Sequence, residues 1–286
     1  MRVLRRVSSR EQFRATMEGL PSPFLSKEVG VQMVSQSRPA RPLRYSFDWV
    51  VSAYIWLTWL LMVIIGLPII CLLIGLLPRR VLYGLARVLF RAGLAIGGVR
   101  IQVKGLEHLD RSKPYILMGN HVNLLEVFVF TAAFPVPIVG IEKKENFRIP
   151  FYGWLLKRWG QIAIDRANLD QAKKDLDRGA EVLRRGGSWL VLMPEGTRSR
   201  DGKVGPFKKG GFHLAIQTGV PIAPFVQEGG RSILSTGSWL ARPGVITISI
   251  LPPIDPKDYG PERLEDLLET VRDRIVGQLG LTEGEG

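Results

Sequence analysis

Residues 115–130 read YILMGNHVNLLEVFVF. The first five have the apolar, strand-length character of a buried β-strand, and Gly119 closes them. A polar turn follows, and from Leu124 a second apolar run starts that is long enough for a helix. Strand, short loop and helix in that order form the repeating unit of an α/β fold.

The unit recurs downstream. Strand-like runs are predicted at 99–104, 115–119, 136–141, 161–165, 188–193, 222–227 and 245–251. Helical patterns fall near 123–133, 150–158, 168–185, 209–219 and 261–279. This alternation predicts an α/β domain with a mixed, largely parallel sheet flanked by helices over residues 99–286. Ligands of such sheets gather at the carboxyl ends of strands. The loops after 115–119 and 188–193 are therefore the places to look, and they hold GNHVNLLE and PEGTRSRDG.

Upstream the character changes. Residues 49–77 are WVVSAYIWLTWLLMVIIGLPIICLLIGLL, without one charge. Apolar runs of about 18 or more residues are read as membrane helices, because hydrocarbon does not solvate charge. The run starts too far from Met1, and is too long, for a signal peptide. Gly66 and Pro68 offer a break, and Arg38, Arg41, Arg44, Arg79 and Arg80 flank both ends. Positive flanks favour the cytoplasmic side, so the expectation is a bent hairpin or re-entrant anchor over 46–98, with a single tilted span as the competitor. The segment RVLYGLARVLFRAGLAIGG adds a predicted amphipathic helix, with Arg80, Arg87 and Arg91 opposite Leu82, Leu85, Leu89 and Ala92; it suits a lipid interface. Trp49, Trp56 and Trp59 read as anchor aromatics. Residues 1–45, with nine basic and three acidic groups, read as a disordered basic arm.

The chain of 286 residues carries a net charge of +13, which implies an anionic partner. Its one cysteine, Cys71, lies in the apolar run, so no disulfide frame or thiolate metal site is available. RNA-type motifs and regular aromatic–basic interleaving are absent, which argues against nucleic acid.

Only three histidines occur. Two of them, His108 and His213, have no carboxylate at suggestive spacing and read as structural or surface residues. The third, His121, has Glu126 five positions on. Mid-helix, such a pair would diverge by about 140°. The two can meet if His121 precedes the helix and Glu126 lies in its first turn, with Asn123 as N-cap. The same spacing also fits a plain capping box, in which Glu126 reaches back to the cap's own N–H.

NHVNLLE resembles the first motif of the glycerolipid acyltransferases, the 1-acyl-sn-glycerol-3-phosphate acyltransferase family, in which His and Asp are separated by four residues. KKENFRIPFYGWLLKRWGQIAIDR (143–166), MPEGTRS (193–199) and VPIAPF (220–225) are similar to the family's later blocks, in the family's order, and FKKGGF (207–212) matches a further run. The departure is Glu126 in place of Asp, whose added methylene moves the carboxylate outward by about 1.5 Å.

The resemblance implies His121 as general base and Glu126 as its partner. It places Arg198, Glu195, Gly196, Arg166 and Lys144 in the acceptor site. It also implies membrane lipid as partner, a lysophospholipid as acceptor and acyl-CoA or acyl-carrier protein as donor, on the cytoplasmic face of a membrane, with no cofactor and no metal. The chemistry is consistent with it. A thioester is already activated, so direct transfer to an alcohol needs a base and no protein nucleophile. No GxSxG elbow and no HExxH zinc site occur. Arginine suits a phosphate because its fork donates two parallel bonds. The plainer alternatives are a salt-bridged surface turn for Arg198, a strand-end ion pair of Arg166 with Asp165, and a solvated face for Lys144. Another acceptor, or a catalytically silent membrane-binding protein, is the competing function.

Overall fold

The computed structural model describes residues 42–165, 169–199 and 203–280. The basic arm, apart from its last four residues, and Arg166 lie outside them.

Two helices lead. Helix α1 (Pro42–Leu73) is continuous for 32 residues, about 48 Å at 1.5 Å per residue. The break expected at Gly66 and Pro68 does not occur: Pro68 sits inside the helix. The chain turns instead just past Leu73, where Pro78 immediately precedes helix α2 (Arg79–Ile96). The seam between the two explains the difference. Gly66 lies against Leu89, Gly93 against Met62 and Gly97 against Trp59, so the helices run antiparallel. Glycine lets helices approach closely, and Gly66 serves that contact instead of a bend. Ile70, Leu82 and Ala86 close the far end of the seam.

Of the predicted arginine stripe on α2, Arg80 and Arg91 are exposed, while Arg87 turns toward the domain, as does the flanking Arg79. Arg79 donates to the Trp159 carbonyl at 2.8 Å and Arg87 to the Ala132 carbonyl at 3.3 Å. Leu82, Tyr83, Ala86 and Leu94 are buried while Leu85 stays half exposed. The helix is thus clasped on both sides, by α1 and by the domain.

Seven strands follow in one sheet: β1 (Val99–Lys104), β2 (Ile116–Gly119), β3 (Ile138–Lys143), β4 (Ile162–Ile164), β5 (Trp189–Leu192), β6 (Ile222–Glu228) and β7 (Gly244–Ile250), in the order β1-β7-β6-β2-β5-β3-β4. Every neighbouring pair is parallel except β6 and β7. Each predicted strand is present within two residues.

Helix α3 (Glu126–Ala133) covers one face, with Leu117, Phe130, Phe134, Trp189 and Phe225 in its core. On the other face, Ile116, Met118, Leu190 and Leu192 join Phe212 and Leu214 of α6 (Gly210–Thr218), Leu183 of α5 (Leu169–Arg185), and Leu267 and Val271 of α8 (Leu264–Gln278). Helices α4 (Tyr152–Trp159) and the short α7 (Gly230–Ile233) complete the set. Alternate residues of β2 and β5 enter different cores, which is why these runs are apolar throughout. Trimming one such side chain, as in Leu117→Ala, costs about 2–5 kcal/mol.

Candidate active site

The register of β2 and β5 places Met118 opposite Leu192. His121 and Glu195 each lie three residues beyond that rung, so both occupy the carboxyl edge of the two central strands. Asn120 spans the gap to β6: its side chain donates to the Gln227 carbonyl at 3.0 Å and accepts from the Gln227 N–H at 2.8 Å. An amide side chain here continues the ladder after β2 has ended.

His121 Nδ1 lies 2.5 Å from Glu126 Oε2, with the histidine side chain 27% and the glutamate 6% exposed. The other oxygen, Oε1, accepts from the backbone N–H groups of Val122 at 2.5 Å and Asn123 at 3.1 Å. The carboxylate therefore does both things its spacing allowed: it pairs with the histidine and it caps the chain entering α3. The expected N-cap was Asn123, but the helix begins at Glu126 itself. The Asn123 side chain accepts from Leu125 N–H at 2.9 Å and donates to the Gly230 carbonyl at 2.8 Å, an Asx turn tied to α7. With the helix starting at Glu126, the longer side chain reaches His121 at 2.5 Å, so the pairing is not loosened.

Both backbone groups of His121 are held by the loop after β5. Glu195 Oε1 accepts from the His121 N–H at 3.0 Å, and the His121 carbonyl accepts from the Ser199 N–H at 2.9 Å. Glu195 Oε2 accepts from Gly205 N–H at 2.9 Å. Burial raises the Glu195 carboxyl above the usual carboxylate range, and those two N–H bonds, with the nearby His121, act against the rise. The Thr236 hydroxyl lies 3.1 Å from the carbonyls of both Val122 and Ser199 and joins the two loops.

A cleft of about 360 Å³ opens beside Glu195, with Arg198, Ser199, Lys203, Gly205 and Lys208 in its wall. Gly196 has φ 71°, a left-handed conformation that favours glycine, and the Lys208 stem lies across it. Among the described residues, neither Arg198 nor Lys208 is in an ion pair, and the Glu195 carboxylate beside them is turned onto backbone N–H groups.

Lys144 is placed elsewhere. Its ammonium pairs with Asp165 at 3.3 Å, and it does not line this cleft. Arg166 lies outside the described residues, and with it the expected pairing to Asp165. His108 Nδ1 sits 3.1 Å from the Ile250 carbonyl and His213 is exposed on α6, as expected of structural and surface residues. Lys208, Ser199, Thr236 and Asn120 were not singled out from the sequence. FKKGGF contained Lys208, but Thr236 has no signal, lying 115 positions from His121.

A family model for acyltransferases matches residues 100–228. A 1-acyl-sn-glycerol-3-phosphate acyltransferase of Limnanthes douglasii is 35% identical over 184 residues, 64% of this chain and 65% of that protein. The enzyme of the same name from Pseudomonas aeruginosa is 33% identical over 172 residues, 60% of this chain and 66% of that protein. The chain thus spans just under two thirds of the length of these relatives. The crystal structure of a 1-acyl-sn-glycerophosphate acyltransferase from Thermotoga maritima superposes with a TM-score of 0.69 at 24% identity, covering 85% of this chain and 100% of that one, which shows a shared fold. A paired histidine at a strand's carboxyl edge, the family model and relatives at a third identity converge on one segment, and residues 100–228 of this chain form an acyltransferase-family domain.

Proposed function

We propose that this protein moves a fatty acyl group from acyl-CoA or acyl-carrier protein to the free hydroxyl of 1-acyl-glycerol-3-phosphate, forming phosphatidic acid. The observation that carries the reading is the 2.5 Å His121–Glu126 pair beside a cleft holding unpaired Arg198 and Lys208. Relatives from plants, bacteria and yeast bear the corresponding name.

In this reading Nδ1–H donates to Glu126, which leaves the Nε2 lone pair as proton acceptor. As the acceptor hydroxyl attacks the thioester carbonyl, Nε2 takes its proton, and Glu126 stabilises the imidazolium that forms. Collapse of the tetrahedral adduct breaks the C–S bond, and the leaving thiolate recovers that proton. Arg198 holds the acceptor phosphate with its two-pronged fork.

The substrate is a membrane lipid, and the exposed apolar residues fit that source. Leu57, Leu60, Leu61, Ile64, Ile65 and Ile69 lie outward on α1, whose stretch Ser46–Leu73 is long and apolar enough to cross a membrane. Basic flanks on both sides of the anchor favour the cytoplasmic face for the catalytic domain.

The test is thiol release by purified protein across a panel of acceptors, with His121→Ala in parallel. Lysophosphatidate should be the preferred acceptor, and His121→Ala should lower turnover by about 10² to 10⁴ while membrane association persists. Wild-type turnover in a folded His121→Ala protein overturns the base assignment. Preference for a phosphate-free acceptor overturns the substrate.

A further inference from the structure

We propose that Glu195 is a positioning residue for the base and not a ligand of the acceptor. The inference rests on His121 being the base, and it departs from the acceptor role that the family resemblance implied for this glutamate.

A carboxylate that binds a polyhydroxylic acceptor must present oxygen surface to it. Glu195 presents little: one oxygen takes the His121 N–H, the other takes the Gly205 N–H, and the residue is only 7% exposed. The adjacent cleft is one where phosphate would bind, and a carboxylate facing a phosphate would repel it. With both oxygens turned onto backbone N–H groups, that charge is engaged by donors inside the wall.

What the two bonds accomplish is mechanical. Glu195 holds the N–H of His121 and Ser199 holds its carbonyl, from the same loop, four residues apart. The imidazole's position therefore depends on two sets of contacts. Glu126 sets the ring from the side-chain end, and Glu195 with Ser199 sets the peptide from the backbone end. Arg198 lies between Glu195 and Ser199 in sequence, so the segment that carries the cation for the acceptor also carries both clamps on the base. An acceptor gripped at Arg198 is thereby held in fixed relation to Nε2, and an error of about 1 Å in such a relation can cost on the order of 10²-fold in rate. Gly205 completes the brace by linking the far side of the cleft to the same carboxylate.

The substitution that separates the roles is Glu195→Gln. It keeps the volume but leaves one acceptor oxygen for two N–H donors, so one arm of the brace is lost. The proposal expects kcat to fall roughly tenfold to a hundredfold with the KM for lysophosphatidate unchanged, in protein with native membrane association. Arg198→Ala, measured alongside, should show the opposite split, with its loss in acceptor KM. Should Glu195→Gln fail to fold, Glu195→Asp keeps the charge but is shorter by about 1.5 Å, reaches only one of the two N–H groups, and should give the same kcat-weighted loss.

A raised acceptor KM with kcat intact in either Glu195 variant overturns the proposal and makes Glu195 an acceptor ligand. Native values of both constants overturn it as well. His121→Ala distinguishes this failure from that of the base assignment. If His121→Ala is inactive and the Glu195 variants shift only KM, the positioning inference alone falls. If His121→Ala turns over normally, the base assignment falls and takes this inference with it.

Discussion

Around His121 three loops converge, and within a few residues the N–H groups of His121, Val122, Asn123 and Gly205 all reach a carboxylate oxygen. Along α1 the contacts are of another kind. Its inner face meets α2 through glycine against apolar side chains, and polar bonds gather only near its start, where Ser52 and Trp56 bind the Trp239 carbonyl and Ser52 accepts from Ala241 N–H. The two regions differ because their tasks do. A reacting histidine must stand in one place, and directional bonds fix direction. An anchor must present apolar area, and packing is indifferent to small rotations as long as the area stays covered or faces lipid.

The sharpest way to break this contrast is at Glu126. Glu126→Gln leaves one oxygen to serve the donors that two now serve, so turnover should fall on the order of 10²-fold or more, while the lost buried bonds cost about 1–3 kcal/mol in stability. Paired measurements of kcat and thermal unfolding check it. Turnover near the wild-type value would reduce Glu126 to the helix cap that its spacing equally allowed.

Arg198→Ala comes next. Charge-assisted bonds contribute about 1.5–3 kcal/mol each, so kcat/KM for lysophosphatidate should drop roughly tenfold to a hundredfold, and Arg198→Lys should recover only part because a point charge lacks the fork. A neutral acceptor such as monoacylglycerol should be nearly indifferent. Equal losses on charged and neutral acceptors would mean that Arg198 supports the loop and that phosphate is held elsewhere.

The smallest catalytic effect is expected on the anchor side. A side chain at Gly93 meets Met62 across the seam, so Gly93→Val should destabilise by about 1–3 kcal/mol through overpacking and leave the kcat of the detergent-solubilised protein close to wild type. Thermal denaturation and turnover on the same sample decide it. A turnover loss matching that of Glu126→Gln would show the seam to be coupled to the loop, and the contrast would fail.

Legibility in the sequence followed the range of the signal. All seven strands were readable because an apolar run bounded by Gly or Pro is a local pattern, and His121 with Glu126 was readable because five residues separate them. Asn123 was placed as the N-cap two residues early, since a short polar residue suits a cap and an Asx turn equally. The break at Gly66 and Pro68 was misplaced for a different reason. Both residues weaken a helix in isolation, and nothing near them in sequence announces that Leu89 fills the space beside Gly66.

The sequence by itself determined the alternation of strands and helices, the apolar segment at 49–77, the histidine with a carboxylate five residues on in the first turn of the next element, and an arginine after a strand. Tertiary structure alone decided that β2 lies between β5 and β6, that the loop at 195–199 therefore grips His121 74 to 78 residues away, and that Thr236 bridges the two. Hydrophobic periodicity and capping act within about one or two turns of chain, so they can be read in a short window. Strand order is set by which pairing buries both faces of the sheet at once, a property of the whole chain that no window of it contains.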